Sequence, residues 1–515
     1  MNILRFYILL VLVIGVQLAN CQNKWIKPYY ENKDASADYV LEAYDHGYMI
    51  LGRYGSNYPH LNWLVKTDIN GQILWNKTIG DETHNTASSC IAKNETGELF
   101  ISGITTYYDD YGDALVIKLD SCGEKQWCQI IYQPGYVNYA FKVQATEDGG
   151  CVVLLCSSAP DEDVCLAKLD SDGDLLWKEC YGNQDTSLWE PFGQSFILTQ
   201  DDGFLISGYC YYEDPNPPYA GWLKPYYIKT DSSGLSEWEL VVHKEVGQEN
   251  GGTAWCTNIN PSASYYYSSI SHYYPEYINP ALLKMDVNGN LIDVYDIVNG
   301  YNHGGLGDAR FLNDTVLAAS IGWGNDEDDI RSYATLIDTV GSILDSTFIV
   351  QDIYTVYMDT VYDNKLLLMY NTYYNGQFDV YLRKLNRYLE DDTLYTYPYQ
   401  YDTLCPYPIT SDTITIDDCG LIVGSSELPN LKEESNALEI YPNPTTNQIN
   451  CRLSVVNSQC EIWIYDMLGG ITDVVDVPKG QQEVQIDVSD FASGLYIAVV
   501  KSDKEILGKE KFIKQ

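Results

Sequence analysis

Basic side chains are few in this chain. Its 515 residues carry 31 Lys and Arg against 72 Asp and Glu, a formal net charge of −41. Nucleic acids and anionic membrane surfaces are bound by clustered Lys and Arg, so the deficit argues against both as partners. An acidic surface also keeps an exposed protein soluble, which accounts for the excess without a cation-binding role. Histidine is scarce as well. The six, at positions 46, 60, 84, 243, 272 and 303, are scattered, and no His-x-x-x-His pair is present to ligate zinc. After the first 21 residues no run is long and apolar enough to cross a bilayer as a helix. Gly-x-Ser-x-Gly elbows, Gly-rich phosphate loops and papain-like cysteine signatures are missing too. The sequence names no catalytic residue, no metal ligand and no cofactor-binding residue.

What is present is repetition. Lys66-Thr-Asp68-Ile-Asn-Gly71, ending in Trp75, returns as Lys118-Leu-Asp120-Ser-Cys-Gly123 with Trp127 and as Lys168-Leu-Asp170-Ser-Asp-Gly173 with Trp177. It comes back as Lys229-Thr-Asp231-Ser-Ser-Gly234 with Trp238 and as Lys284-Met-Asp286-Val-Asn-Gly289. Asp338 to Gly341 and Lys384-Leu-Asn386 are weaker sixth and seventh copies. A period of about 50 residues is the mark of propeller blades and related arrays. Asp-x-x-Gly between two alternating apolar runs reads as a tight hairpin turn, with glycine at positive φ. The same turns at 68, 170 and 286 mimic the opening of a calcium loop but lack its later ligands. An upstream Gly-plus-apolar signal, such as Gly97-Glu-Leu-Phe-Ile-Ser-Gly103, adds a second hairpin and brings each unit to about four strands. The seventh copy lacks its outgoing strand. Trp25-Ile-Lys27 echoes Trp75-Asn-Lys77, so the N-terminal strand is expected to complete the last blade and close the ring.

In chain order, residues 1–21 read as a signal peptide, with Arg5 before an apolar core from Phe6 to Val16 and a cut between Cys21 and Gln22. Leu18 to Cys21 can also be read as a degenerate lipoprotein box. Residues 22–424 form the propeller of about seven blades, with a final strand pair between Tyr395 and Gly424. Tyr209 to Tyr219 and Gln248 to Tyr274 look like insertions. Residues 425–437 are a polar linker. Residues 438–515 read as seven or so short strands in an immunoglobulin-like β-sandwich. The fold class expected is all-β throughout. Of the cysteines, two pairs flank hairpins and are candidate disulfides, Cys405 with Cys419 and Cys451 with Cys460. The cysteines inside blade strands, such as Cys151, Cys156 and Cys165, read as buried free thiols. Tyrosine is plentiful at 46 residues. Tyr107-Tyr108 and Tyr265-Tyr-Tyr267 are either stacking platforms for sugars or ordinary strand formers.

The last segment resembles the C-terminal sorting domain (type A) of the type IX secretion system of the Bacteroidota. The resemblance rests on Pro442-Asn443-Pro444 after Tyr441, the turn through Gly469, Gly494-Leu-Tyr496 after Asp490-Phe-Ala-Ser, and the tail from Lys511 to Lys514. It implies export across the outer membrane, with the type IX machinery as partner and the secreted or outer-membrane surface as destination.

Two function classes follow for the repeats. One is a surface binding or adhesion module for a glycan or protein, using loops on one face and the central funnel. The other is a secreted hydrolase or lyase acting on polysaccharide or peptide. Converging carboxylates with a basic residue on the axis favour the second, and a Tyr-lined, weakly charged face favours the first.

Overall fold

A computed structural model of the chain describes residues 25–423 apart from 30–34, 55–60, 81–82, 109–110, 134, 159–162, 183–187, 213–221, 243–250, 275–276, 299–302, 325–328, 352–355 and 375–376. It further describes 438–514 apart from 454–459, 466–470, 482, 490, 493 and 503–505. Cys21, Gln22, Gly469 and the linker lie outside these residues. Two compact units divide between Ile422 and Val423.

Among the described residues, the first unit holds seven sheets, each made of consecutive antiparallel strands. Sheet 1 comprises Ala35–Glu42, Tyr48–Tyr54, Leu61–Thr67 and Ile73–Ile79, and sheet 2 comprises Thr86–Lys93, Leu99–Thr105, Asp113–Leu119 and Lys125–Tyr132. Sheet 3 is Asn138–Ala145, Cys151–Ser157, Val164–Leu169 and Leu175–Tyr181, followed by sheet 4 with Leu188–Leu198, Phe204–Tyr212, Trp222–Thr230 and Ser236–Val241. Gly251–Ile259, Tyr265–Tyr273, Ile278–Asp286 and Leu291–Asp296 make sheet 5. His303–Asn313, Val316–Gly324, Arg331–Asp338 and Ile343–Gln351 make sheet 6. Sheet 7 has Tyr357–Val361, Lys365–Tyr374 and Gln377–Leu385, and its fourth strand is Ile26–Tyr29 from the other end of the chain. The expected N-terminal closure is therefore what the chain does, with Ile26 opposite Arg383 and Tyr29 opposite Val380. Residues 251–274, expected as part of an insertion, are instead the first two strands of sheet 5.

Each sheet buries one face against the next. Leu51 and Met49 pack with Ile91 and Ile117 of sheet 2, while Ile50, between them, packs with Leu367 and Leu382 of sheet 7. From Tyr48 to Gly52 the strand Tyr48–Tyr54 is buried on both faces, which is why its sequence runs apolar there without alternation. Corresponding cores join sheets 2 with 3, 3 with 4, 4 with 5, 5 with 6 and 6 with 7. The packing thus returns on itself, and no sheet is left with a bare face.

The repeated turn explains the signature. In all seven copies the first side chain accepts two backbone N–H bonds, Asp68 from Asn70 and Gln72 at 2.8 and 2.7 Å, Asn386 from Tyr388 and Glu390 at 2.8 and 3.1 Å. Asp120, Asp170, Asp231, Asp286 and Asp338 do the same. The oxygen that a cation would need is taken up by the hairpin. Glycine closes the turn at positive φ, +77° at Gly123, and Leu389 takes that place in the seventh copy at +60°. Five of the seven turns carry the indole of the preceding sheet on their glycine, while Gly341 meets Tyr295: a Cβ on Gly71 would sit 3.1 Å from Trp25, and one on Gly123 would sit 2.7 Å from Trp75. Gly173, Gly234 and Gly289 meet Trp127, Trp177 and Trp238 likewise. Trp25 and Trp127 also donate to the carbonyls of Ile69 and Ser171 inside those turns, at 3.1 and 2.8 Å.

The signature lysine is a second repeated device. Lys66 pairs with Asp45, Lys118 with Glu98 at 3.2 Å, Lys168 with Asp148 at 2.6 Å and Lys229 with Asp201 at 2.7 Å. Each acid comes from the turn between the first two strands of the same sheet. Lys284 instead lies over the Tyr265 ring at 4.2 Å. Several of the scarce cations are thus spent inside the fold, leaving the surface more acidic than composition alone suggests.

The segment after sheet 7 departs from expectation. It does not finish the ring with a strand pair. Thr413–Ile414 adds a parallel fifth strand beside Ile73–Ile79, and Gly420–Val423 adds one to the outer edge of sheet 2. Nor does Cys405 bond to Cys419: the disulfides are Cys122–Cys405 and Cys128–Cys419. The segment lies along sheets 1 and 2 rather than folding back on itself, so Cys405 meets the turn at Cys122 and Cys419 meets the strand Lys125–Tyr132, both from far earlier in the chain. Cys165, expected free, is bonded to Cys180 on the neighbouring strand. Cys151 and Cys156 are buried free thiols.

The second unit has two sheets, Leu438–Tyr441, Gln448–Leu453 and Glu483–Asp487 in one, Cys460–Tyr465, Ile471–Val477, Gly494–Ser502 and Ile506–Lys514 in the other. Leu438, Ile449 and Ile486 from the first meet Ile462, Ala498 and Phe512 from the second in one core. Cys451 and Cys460 belong to this core as separate free thiols, Cys451 on one sheet and Cys460 on the other, and are not bonded as expected.

Candidate functional site

The first strands of the seven sheets converge, and six of them break register at one level. The breaks fall between Ala37 and Tyr39, Ser88 and Cys90, Ala140 and Lys142, Gly193 and Ser195, Ala254 and Cys256, and Leu306 and Ala309. A bulge adds one unpaired residue and re-aims its neighbours. Here it turns polar side chains onto the axis. Lys142 donates to Ser195 Oγ at 3.0 Å, Asn258 to the Ala309 carbonyl at 2.7 Å, and Arg310 Nε to Asp359 at 3.0 Å. The Tyr39 ring lies 4.5 Å from that of Tyr357, and the Lys142 ammonium stands 5.9 Å from the Tyr39 centroid. One ring from sheet 1 therefore reaches groups on sheets 3 and 7.

Arg310 is the electrostatic centre. Burial works against its charge, but Asp308 and Asp359 outweigh that and hold it charged well above its ordinary range. Asp308 lies 3.5 Å from the guanidinium and also accepts from the Met358 amide at 3.2 Å. Burial pushes the Tyr39 and Tyr357 hydroxyls far up, so both stay neutral. Asp38 is the extra residue of the sheet 1 bulge. Burial raises its carboxyl to about 6 in spite of Arg53 at 3.3 Å. Asp38 Oδ2 is buried without a hydrogen-bond partner. A permanent cation between two carboxylates orients and recognises; it does not carry protons. Among the described residues no group of three His, Cys, Asp or Glu is placed to hold a metal ion.

Sequence reasoning missed this cluster. A bulge falls between hydrophobic periods, and the residues it re-aims differ from sheet to sheet, so no repeat marks them. The tyrosine runs separate clearly. Tyr266 and Tyr267 are buried core, whereas Tyr108 is exposed beside Tyr107 at one end of sheet 2.

In the second unit three stretches singled out from sequence come together. Asn443, between Pro442 and Pro444, donates to the Lys511 carbonyl at 2.8 Å and accepts from the Ile513 amide at 2.9 Å. Gly494 pairs with Lys514, and Tyr496 stacks on Phe512 at 5.5 Å while donating to the Ala492 carbonyl at 2.9 Å. The opening and the tail of the unit are one structural knot. No helix among the described residues is long and apolar enough to cross a membrane.

Residues 439–515 match the family model described as the secretion system C-terminal sorting domain. No curated protein matches the chain. Among solved structures, a protein of unknown function from Dyadobacter fermentans DSM 18053 is 11% identical with a TM-score of 0.41, over 70% of this chain and 98% of that one. Polysaccharide lyase Uly1 is 10% identical with a TM-score of 0.39, over 68% and 89%. Prolyl oligopeptidase B from Galerina marginata is 9% identical with a TM-score of 0.41, over 92% and 56%.

Proposed function

We propose that this chain, which ends in a type IX sorting domain, is an exported seven-bladed β-propeller that binds an extracellular glycan or protein. Residues 1–21 act as its signal peptide with the cut between Cys21 and Gln22. Residues 438–515, a sandwich of immunoglobulin-like character, serve as the sorting signal, and the linker at 425–437 is where that signal is removed. The observation that carries the binding reading is the axial belt. Asp308 and Asp359 are held as counter-ions of Arg310 rather than left as a free acid and base. A fixed guanidinium with neutral tyrosines around it suits recognition. The test is a glycan and protein array probed with the full-length chain and with Arg310→Gln. Binding by the wild type that Arg310→Gln loses supports the axial site, and equal binding by both refutes it.

The second reading is a secreted polysaccharide- or peptide-degrading enzyme with its site at the same funnel. Asp38 favours it, as a buried carboxyl raised to about 6 is suited to general acid work. A hydrolase screen in which activity is present in wild type and lost in Asp38→Asn would install that reading in place of the first.

A further inference from the structure

The aromatic side chains at one end of sheets 2 and 3 are not used by the axial belt. Register places them together. Thr86 lies opposite Thr105, Thr105 opposite Asp113, and Ala114 opposite Ile131, so His84, Tyr107, Tyr108, Tyr111 and Tyr132 all leave sheet 2 at the same end. The Asn138 amide donates to the Gly112 carbonyl at 2.9 Å, which joins the start of sheet 3 to this end of sheet 2. Ring centroids follow one another at 4.8 Å from His84 to Tyr107, 5.2 Å to Tyr108 and 5.7 Å to Tyr132, with successive planes turned by 47, 78 and 47°, a stepped rather than flat row. Tyr108, Tyr111 and Tyr139 keep 42, 60 and 40% of their surface exposed.

From this geometry we infer a second binding site, a platform for a linear neutral oligosaccharide. Tyrosine rings offer a π face to the C–H face of a sugar ring and a hydroxyl that both donates and accepts. A row of such rings fits successive sugar units rather than one compact ligand. The chain's charge of −41 selects against uronate or sulfated chains. The strand ends beneath His84, Tyr107 and Tyr132 are pinned, since the Thr106 amide donates to the Asn85 carbonyl at 2.9 Å, the Asn85 amide to the Thr106 hydroxyl at 3.0 Å and the Asn138 side chain to the Ile131 carbonyl at 3.0 Å. Little ordering is then left for the ligand to impose. The inference rests on reading the ring as a binding module, but not on the axial residues.

The test is titration calorimetry of the full-length chain with cello-, xylo-, manno- and malto-hexaose, beside polygalacturonate. Expected is saturable binding of at least one neutral hexaose, weakened about tenfold or more by Tyr108→Ala and by Tyr111→Ala, and largely kept by Tyr108→Trp. Both truncated side chains are exposed, and circular dichroism confirms that the fold is intact. Absence of neutral-hexaose binding, preference for polygalacturonate, or unchanged affinity in the alanine variants would overturn the platform. Binding lost in Arg310→Gln but kept in the tyrosine variants would overturn it while leaving the axial reading in place.

Discussion

Two glycines with the same backbone angle separate two kinds of constraint. Gly123 and Gly135 both sit at φ +77°, but a Cβ on Gly123 would press on Trp75 at 2.7 Å and one on Gly135 would meet nothing within 4 Å. Alanine at 135 carries only the left-handed strain, about 1–2 kcal/mol. Alanine at 123 adds overpacking against a rigid indole, for a total of about 2–5 kcal/mol. Urea unfolding midpoints at constant slope should rank wild type, Gly135→Ala and Gly123→Ala in that order. Asp38 makes the other prediction at this scale. Its folded carboxyl is raised to about 6, above the unfolded value near 3.9. The unfolded chain therefore releases this proton first, and stability from this group falls as pH rises from about 4 to 6. Asn keeps an acceptor for Arg53 and removes that loss. Asp38→Asn should melt higher than wild type at pH 7 by up to about 3 kcal/mol and match it near pH 4. A difference that does not change with pH would show that the carboxyl is not raised.

Strands, turns and the closing N-terminal strand were legible because they repeat: an Asp-x-x-Gly turn, a Trp four residues on and an apolar run are each local patterns. The Trp25 echo of Trp75 sufficed to place Ile26–Tyr29 in sheet 7. The stretch from 391 to 423 was not legible, since it is used once and its partners are hundreds of residues away. Cysteine spacing suggested Cys405 with Cys419, whereas Cys405 bonds across 283 residues and Cys419 across 291. These two bonds fasten the same segment, and that sets their energetics. Once either is formed, the other closes a ring of about 20 residues rather than one of about 300, so it removes less further chain entropy than the first. Cys122→Ser or Cys128→Ser alone should cost about 3 kcal/mol, while both together should cost more than the sum of the two single losses. Limited proteolysis should then cut the segment 391–423 first. Strictly additive losses from the two single variants would mean that the bonds act independently.

At the scale of the molecule, the chain is a ring-forming unit and a sandwich-forming unit in sequence, and each has a core of its own. The sequence favoured binding over catalysis only because it shows no catalytic set, and the axial belt stayed hidden because bulges obey no period. The destination was readable for a different reason: the sorting motif is nearly contiguous at its opening and tail, where Asn443 holds Lys511 and Ile513. That knot predicts how export and folding come apart. Truncation after residue 424 removes the second unit but keeps both fastening disulfides and every sheet of the first. The shortened chain should unfold cooperatively in urea and keep the first unit's resistance to trypsin, yet stay inside the cell when culture fractions are probed. Asn443→Ala in the full chain should loosen the tail, because two backbone groups lose partners at about 1 kcal/mol each. Its export should fall while the ring stays folded. Export of the truncated chain at the wild-type level would show that the address lies in the ring, and an unfolded truncated chain would show that the two cores depend on each other.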